Sequence, residues 1–242
     1  MTSGVTQDSF FNGRLRLKQH RHGYRYSIDA VILAGAVHPK PGETLVDLGT
    51  GCGVIPLILA FRQPGVRIWG VELQAALAAV AEENVRENDM ASQVTVVCAD
   101  MRDIRPERVG GPVDRVVSNP PYRRGRSGRV NPDRQRALAR HEIAIRLPEV
   151  VRAARTLLKT GGRLTMIYAA GRVAELLSHM RAERIEPKRL RSIHSSDGQD
   201  ARWVLVEGTR DGGPGMVVSP PLIVYDGDGR YTEELQAMFH AA

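Results

Sequence analysis

The sequence predicts an α/β protein with a seven-stranded, mostly parallel sheet and helices on both faces. Short apolar runs alternate with longer helical segments along the chain, and this order is typical of a parallel sheet. A glycine-rich turn also joins the first apolar run to a helix, where open α/β sheets bind ligands. The predicted strands are Thr44–Leu48, Val66–Val71, Val94–Cys98, Val113–Val117, Arg163–Tyr168, Arg189–His194 and Trp203–Glu207.

Helical segments fill the intervals between these strands. We expect the longest of them to have a break near Pro148 and to end at the pair Gly161-Gly162, because glycine commonly ends helices. Pro220–Tyr225 is predicted as a short extended tail, after which Thr232 caps a last helical turn. The predicted helices are Val54–Phe61, Gln74–Asn88, Leu138–Lys159, Arg172–Arg181 and the turn carrying Glu233 and Glu234.

The chain is predicted to contain one globular domain, residues 44–242, preceded by an extension, residues 1–43. We expect the extension to be helical or a hairpin, to pack on the core and to contribute to ligand binding. Within it, Asp29 begins an apolar helical run and is a candidate N-cap.

Composition indicates a soluble protein of the cytoplasm. The chain has 242 residues, of which 42% are hydrophobic and 25% charged, as in ordinary globular domains. Its two cysteines, Cys52 and Cys98, have no metal-ligand spacing and are too few for a disulfide framework. We find no secretory signal or membrane-spanning run, and His141-Glu142 lacks the second histidine of a zinc motif. We expect no metal, no membrane association and a monomer.

The glycine turn Gly49-x-Gly51-x-Gly53 follows Asp47 at the end of the first predicted strand. Glycine permits positive φ and a close approach of ligand to backbone. The spacing differs from the G-x-G-x-x-G of dinucleotide-binding folds. Together with Asp47, which can hold an ammonium group directly or through water, it predicts a site for S-adenosyl-L-methionine.

Two further acidic residues end the next two predicted strands. Glu72 is positioned to accept hydrogen bonds from both ribose hydroxyls, although capping of the following helix is an alternative. Asp100 is positioned to accept from the adenine amino group of the cofactor, and capping of the turn after it is the alternative.

The tetrapeptide Asn119-Pro120-Pro121-Tyr122 closes the fourth predicted strand. The side-chain oxygen of Asn119 and the carbonyl of Pro120 can each accept one hydrogen of a planar amino group, and the ring of Tyr122 can stack on the plane that carries it. The exocyclic nitrogen is a poor nucleophile, because its lone pair is delocalised. Two acceptors would localise that lone pair and aim it at a methyl group.

Positive charge is concentrated in two segments of a chain whose net charge is +7. Residues 123–140 hold seven arginines against one aspartate, and residues 1–30 hold five basic residues against two aspartates. Clustered arginine predicts a nucleic-acid surface, and a solvated loop is the alternative. The predicted RNA-binding residues are Lys18, Arg21, Arg25, Arg123, Arg124, Arg126, Arg129, Arg134, Arg136 and Arg140.

These motifs together resemble a known family. The segments DLGTGCG, GVELQ, NPPY and SIDAVILA are similar to those of class I methyltransferases, which have a Rossmann-like fold. From about Gln19 to Leu235 the chain resembles the bacterial tRNA(Val) (adenine-N6)-methyltransferases. Their members methylate the adenosine just 3′ of the anticodon.

The resemblance implies transfer of a methyl group from S-adenosyl-L-methionine to N6 of a tRNA adenosine, with Asn119, Pro120 and Tyr122 at the substrate amine. The alternatives are a release-factor glutamine methyltransferase, an rRNA guanine-N2 methyltransferase and a non-catalytic RNA-binding module. The expected cofactor-binding residues are Tyr26, Asp29, Asp47, Gly49, Gly51, Gly53, Glu72, Leu73, Asp100, Met101 and Asn119.

Overall fold

The computed structural model describes residues 5–20, 27–120 and 146–240. The strands are β1 Val5–Phe10, β2 Leu15–His20, β3 Thr44–Leu48, β4 Arg67–Glu72, β5 Val94–Cys98, β6 Val113–Ser118, β7 Leu158–Ala169, β8 Ile185–Ser196, β9 Ala201–Arg210 and β10 Val217–Tyr225. The α-helices are α1 Ile28–Ala36, α2 Val54–Arg62, α3 Ala75–Glu87, α4 Leu147–Leu157, α5 Val173–Ala182 and α6 Glu233–His240. Short 3-10 turns lie at Pro106–Val109 and Ala170–Arg172.

Within the described residues, the main sheet has eight strands in the order β10-β8-β9-β7-β6-β3-β4-β5. Strand β9 is antiparallel to both of its neighbours, and the other neighbouring pairs are parallel. The predicted mostly parallel sheet is therefore confirmed, but the prediction of seven strands is wrong by one. The expected tail pairs with β8 as the edge strand β10, where Pro220 and Pro221 coincide with a register irregularity and cost little ladder pairing.

Helices cover both faces of this sheet, as the alternation predicted. One buried cluster joins residues of α1, α2, α3 and α6 to the sheet, and a second joins residues of α4 and α5 to its other face. Each face is thus closed by apolar packing, and the ends of the strands are left to carry the polar residues of a site.

The prediction that the long helix ends at Gly161-Gly162 is wrong. Helix α4 already ends at Leu157, and Gly161 and Gly162 lie inside β7. The β6–β7 register shifts between Val113 and Arg115, and a Cβ on Gly162 would lie 2.9 Å from the Lys159 carbonyl oxygen. The glycines therefore serve a bulge in the strand. Residues 138–145 of the predicted helix lie outside the described residues, and the break near Pro148 is the first turn of α4.

The N-terminal segment forms a hairpin, β1–β2, followed by α1. Phe11 is 3% exposed and stacks on Phe61 of α2 with ring centroids 4.4 Å apart. Leu15 and Leu17 of β2 are fully buried in the same cluster as α1 and α2. The hairpin thus shares a core with the helix that follows the glycine turn.

Candidate cofactor and substrate-amine site

The ends of β3 and β6 lie side by side. Asp47 of β3 pairs with Val117 of β6 in parallel register, and the buried Ser118 hydroxyl donates to the Leu48 carbonyl at 2.8 Å. Gly49 and Asn119 are the next residues of the two strands. The expected proximity of the glycine turn and the Asn119-Pro120 segment is therefore confirmed.

The glycine turn has the backbone conformation that its sequence predicted. Gly49, Gly51 and Gly53 have φ of +80°, +58° and +85°, which side chains other than glycine adopt at a cost. The amides of Gly49 and Thr50 both donate to the Val71 carbonyl, at 2.9 and 3.0 Å. The turn is thus anchored to the end of β4 before α2 begins.

Asp47 is a fully buried carboxylate, and neither of its oxygens has a hydrogen-bond partner among the described residues. Burial raises the pKa of Asp47 to about 7; the neighbouring Thr50 hydroxyl opposes this rise and the charge of Glu72 adds to it. A buried carboxylate without a partner is costly unless a cation or a donor approaches it. The residue therefore fits the ammonium group of an amino-acid ligand, either directly or through water.

Glu72 joins the ends of β3 and β4. One carboxylate oxygen accepts the Gly51 amide at 2.9 Å, and the other accepts the Gln74 amide at 2.8 Å. Glu72 therefore braces the glycine turn and the residue that precedes α3, whereas the N-cap position of that helix is occupied by Gln74, so Glu72 is not the helix cap that the sequence left as an alternative. Since a carboxylate offers about four lone-pair sites, two remain for the predicted ribose hydroxyls.

Asp100, after β5, is held by Arg102. Its oxygens accept the Arg102 amide at 2.9 Å and the Arg102 Nε at 3.0 Å. The hydrogen bond from the Arg102 side chain lowers the pKa of Asp100. The capping alternative is therefore the arrangement observed, and contact with a cofactor adenine stays a prediction.

Apolar residues flank the same strand ends. Met101 is 4% exposed, and a Cβ on Gly49 would lie 3.7 Å from its terminal methyl group. Leu73 is half-buried directly after Glu72. Contact of either residue with the cofactor stays a prediction.

On the substrate side, Asn119 is half-buried and Pro120 is buried. Tyr122 and Tyr26 lie outside the described residues. So do most of the predicted RNA-binding residues, namely Arg21, Arg25, Arg123, Arg124, Arg126, Arg129, Arg134, Arg136 and Arg140.

In the N-terminal segment, the N-cap prediction for Asp29 is wrong, and Lys18 has partners within the protein. Ser27 occupies the N-cap position of α1, and Asp29 is the buried second residue of the helix, accepting the Ser27 hydroxyl and the Ala30 amide. Lys18 forms ion pairs with Glu83 and Glu87 of α3, because β2 packs against that helix. Contact between Lys18 and RNA stays a prediction.

Sequence reasoning missed Asn84 and Ser118. Asn84 is fully buried on the face of α3 that also carries Leu77 and Ala81. A polar residue at a core-facing position of an amphipathic helix was the available signal. Ser118 had no comparable signal, because a serine at a strand end is usually an ordinary turn residue.

Comparison with known proteins agrees with this geometry. Residues 27–181 match the methyltransferase small domain family. Three curated relatives are named tRNA1(Val) (adenine(37)-N6)-methyltransferase. The protein of Porphyromonas gingivalis (strain ATCC 33277) is 29% identical, with 94% of this chain and 91% of the relative covered. One from a second strain of that species is 31% identical over 78% and 75%, and one from Tolumonas auensis is 26% identical over 95% and 94%.

Solved structures show the same fold. A predicted O-methyltransferase from Agrobacterium tumefaciens superposes with a TM-score of 0.69 at 23% identity, covering 87% of this chain and 94% of that one. A geranyl diphosphate C-methyltransferase from Streptomyces coelicolor, solved with Mg2+, geranyl diphosphate and S-adenosyl-L-homocysteine, gives 0.52 at 18% identity over 75% and 78%.

The fold and the glycine turn thus define a Rossmann-like class I methyltransferase. The chain belongs to the methyltransferase small domain family and, within it, to the family of the tRNA1(Val) (adenine(37)-N6)-methyltransferases. In the part of the chain that the structure describes, no group of three or more metal-ligating side chains comes together. No described helix is both long and apolar enough to cross a membrane.

Proposed function

We propose that the protein transfers a methyl group from S-adenosyl-L-methionine to N6 of an adenosine in tRNA, at position 37 of tRNA(Val). One observation carries the proposal. The bond between Ser118 and Leu48 places Asn119-Pro120 beside the glycine turn, so that a methyl donor and a planar amine can meet at one sheet edge.

The fit of the methyl donor rests on the glycine turn and on Asp47. The carboxylate of Asp47, which has no hydrogen-bond partner among the described residues, matches the donor's ammonium group. The remaining lone pairs of Glu72 match its ribose. The donor supplies an electrophilic methyl group on a sulfonium. Because the turn is anchored to Val71 and Glu72 before any ligand arrives, little reorganisation accompanies binding.

The chain's own contribution to the reaction is alignment of the amine. The Asn119 side-chain oxygen and the Pro120 carbonyl accept its two hydrogens, which localises the nitrogen lone pair and directs it toward the methyl group. No strong general base is needed, since the nitrogen sheds a proton readily once it carries the methyl group. Preorganised acceptors of this kind act chiefly on the transition state.

An anticodon loop suits this site better than a duplex. Its adenosine is already unpaired, so that turning it into a pocket costs less than extrusion from a helix. The names of the relatives support this substrate, and the arginine-rich segment after Tyr122 supplies charge for its phosphates. We place the reaction in the cytoplasm, where the exposed thiol of Cys98 would stay reduced.

The experiment is methyl transfer from tritiated S-adenosyl-L-methionine to a tRNA(Val) transcript, followed by nucleoside analysis. A matched transcript with guanosine at position 37 is the control. We expect N6-methyladenosine in the first transcript and no label in the second. Label in guanosine, or in a release factor added in its place, would contradict the proposal and support one of the alternatives.

A further inference from the structure

The edge of β2 that faces away from β1 forms backbone hydrogen bonds with two asparagine side chains of α3. The Asn84 amide accepts the Lys18 N–H at 2.7 Å and donates to the Lys18 carbonyl at 2.9 Å. One turn later, Asn88 accepts the Arg16 N–H at 2.8 Å and donates to the Arg16 carbonyl at 2.7 Å. Two side chains spaced i, i+4 on a helix thus meet alternate residues of β2 and satisfy its outer edge.

The two asparagines differ in one contact. The second hydrogen of the Asn84 amide donates to the Cys52 carbonyl at 2.9 Å, whereas that of Asn88 stays within α3 and donates to the Asn84 carbonyl at 2.7 Å. Cys52 lies between Gly51 and Gly53, in the turn where three glycines adopt positive φ. Asn84 therefore touches the hairpin and the glycine turn with one buried amide group.

We infer that Asn84 is a positioning residue that couples docking of the N-terminal hairpin to the conformation of the glycine turn. Opening the hairpin would leave the buried amide group of Asn84 without its partner in the hairpin. Deforming the glycine turn would leave the same group without its partner in the turn. An unpaired buried polar group is costly. Each segment therefore stabilises the other, and by linkage a ligand that fixes the turn also protects the hairpin.

The ligand part of this inference rests on the proposed function, whereas the coupling between turn and hairpin does not. The test is amide hydrogen exchange by NMR, first on the ligand-free protein. Asn84→Leu and Asn88→Leu have similar side-chain volumes and each removes two hydrogen bonds to β2. The reporters are the amides of Gly51 and Gly53, which bond to Glu72 and to the Thr50 carbonyl and not to either asparagine.

We expect Asn84→Leu to speed exchange at both glycines by about ten-fold or more, the size that follows from losing one buried hydrogen bond. Asn88→Leu should leave them within about two-fold. Equal effects of the two substitutions on the glycines, or none from either, would overturn the coupling.

A second measurement needs no variant, and so remains decisive even if Asn84→Leu fails to fold. Saturating S-adenosyl-L-homocysteine should slow exchange of the Lys18 amide in the unsubstituted protein, since that amide bonds to Asn84. Binding without any slowing would overturn the coupling. Failure of the compound to bind at all would contradict the proposed function, while the ligand-free comparison of the glycine amides would still decide the coupling.

Discussion

The hydroxyl of Ser118 donates to the carbonyl of Leu48 at 2.8 Å, and both residues are buried. This bond joins the last residues of β6 and β3 at the point where the two chains leave the sheet. It sets the distance between the segment that would hold the methyl donor and the segment that would hold the substrate amine.

Removing this bond should impair alignment more than binding. In Ser118→Ala the Leu48 carbonyl loses its buried partner, which should cost about 1–3 kcal/mol of stability. We expect kcat to fall about ten-fold or more, because small misplacements of reacting groups are expensive, with the Kd for S-adenosyl-L-homocysteine changing less. Thr156→Ala is the matched control, since it removes an exposed hydroxyl-to-carbonyl bond in α4. A larger loss of cofactor affinity than of kcat would contradict the alignment role.

The carboxylate of Asp47 should favour ligand binding but lower the stability of the ligand-free protein near neutral pH. Because burial raises its pKa to about 7, the folded protein holds a proton there that the unfolded chain has already released above about pH 4. Stability should therefore fall as pH rises from about 4 to 7, by at most about 4 kcal/mol. Asp47→Asn should flatten this dependence in urea unfolding and weaken S-adenosyl-L-homocysteine binding. A variant that is less stable than the original at pH 8 would contradict the assignment.

We also expect Asp47 to release a proton when the cofactor binds. An ammonium group beside Asp47 favours the ionised carboxylate, so binding below pH 7 should expel close to one proton. Calorimetry at pH 6 in buffers of different ionisation enthalpy measures it, and at pH 7.5 the release should be smaller. The Asp47→Asn variant corrects for titration of the ligand itself. Equal proton release by the variant would show that Asp47 is not the group involved.

Asn119 should act on the chemical step. Asn119→Ala removes one of two acceptors for the amine, and loss of one preorganised hydrogen-bonding group typically lowers kcat about 10²–10³-fold. The Kd for S-adenosyl-L-homocysteine should stay within about two-fold of its original value. Single-turnover methylation and calorimetry separate the two quantities. If kcat and the affinity for S-adenosyl-L-homocysteine fall together, Asn119 holds the cofactor or the fold, and the proposed role is wrong.

The arginine-rich segment should set the salt dependence of tRNA binding. Neutralising Arg124, Arg126 and Arg129 should weaken binding and lower the slope of log Kd against log salt by about two. The charge-matched control neutralises Arg152, Arg181 and Arg184, whose side chains are 70%, 69% and 74% exposed. An equal change of slope in the control would mean that net charge alone determines binding.

Strands, helices and the adjacency of the two motifs followed from local patterns in the sequence. Apolar runs bounded by glycine and acidic residues predicted β3, β4, β5 and β6, because the tendency to form each of these strands is set by residues close together in the sequence. The edge strand β10 was missed since its two prolines argue against a strand, and only the position of β8 makes them tolerable. Gly161-Gly162 was predicted to end a helix, because the sequence alone does not show the bulge between β6 and β7 in which these glycines lie.

Within the site, residue types were easier to predict than their partners. Asp47 and Glu72 were singled out by position after a strand, but whether each carboxylate would be paired depended on packing. Glu72 reaches two backbone amides and Asp47 reaches none among the described residues. Lys18 looked like a phosphate contact by charge alone, and its partners on α3 are 65 and 69 residues away in sequence.

A crystal structure with bound S-adenosyl-L-homocysteine tests the central claim most directly. We predict the ligand's ammonium at Asp47, directly or through one water, its ribose at Glu72, and its sulfur facing the Asn119-Pro120 segment across the junction of β3 and β6. A ligand bound elsewhere, or with its sulfur turned away from Asn119, would contradict the account.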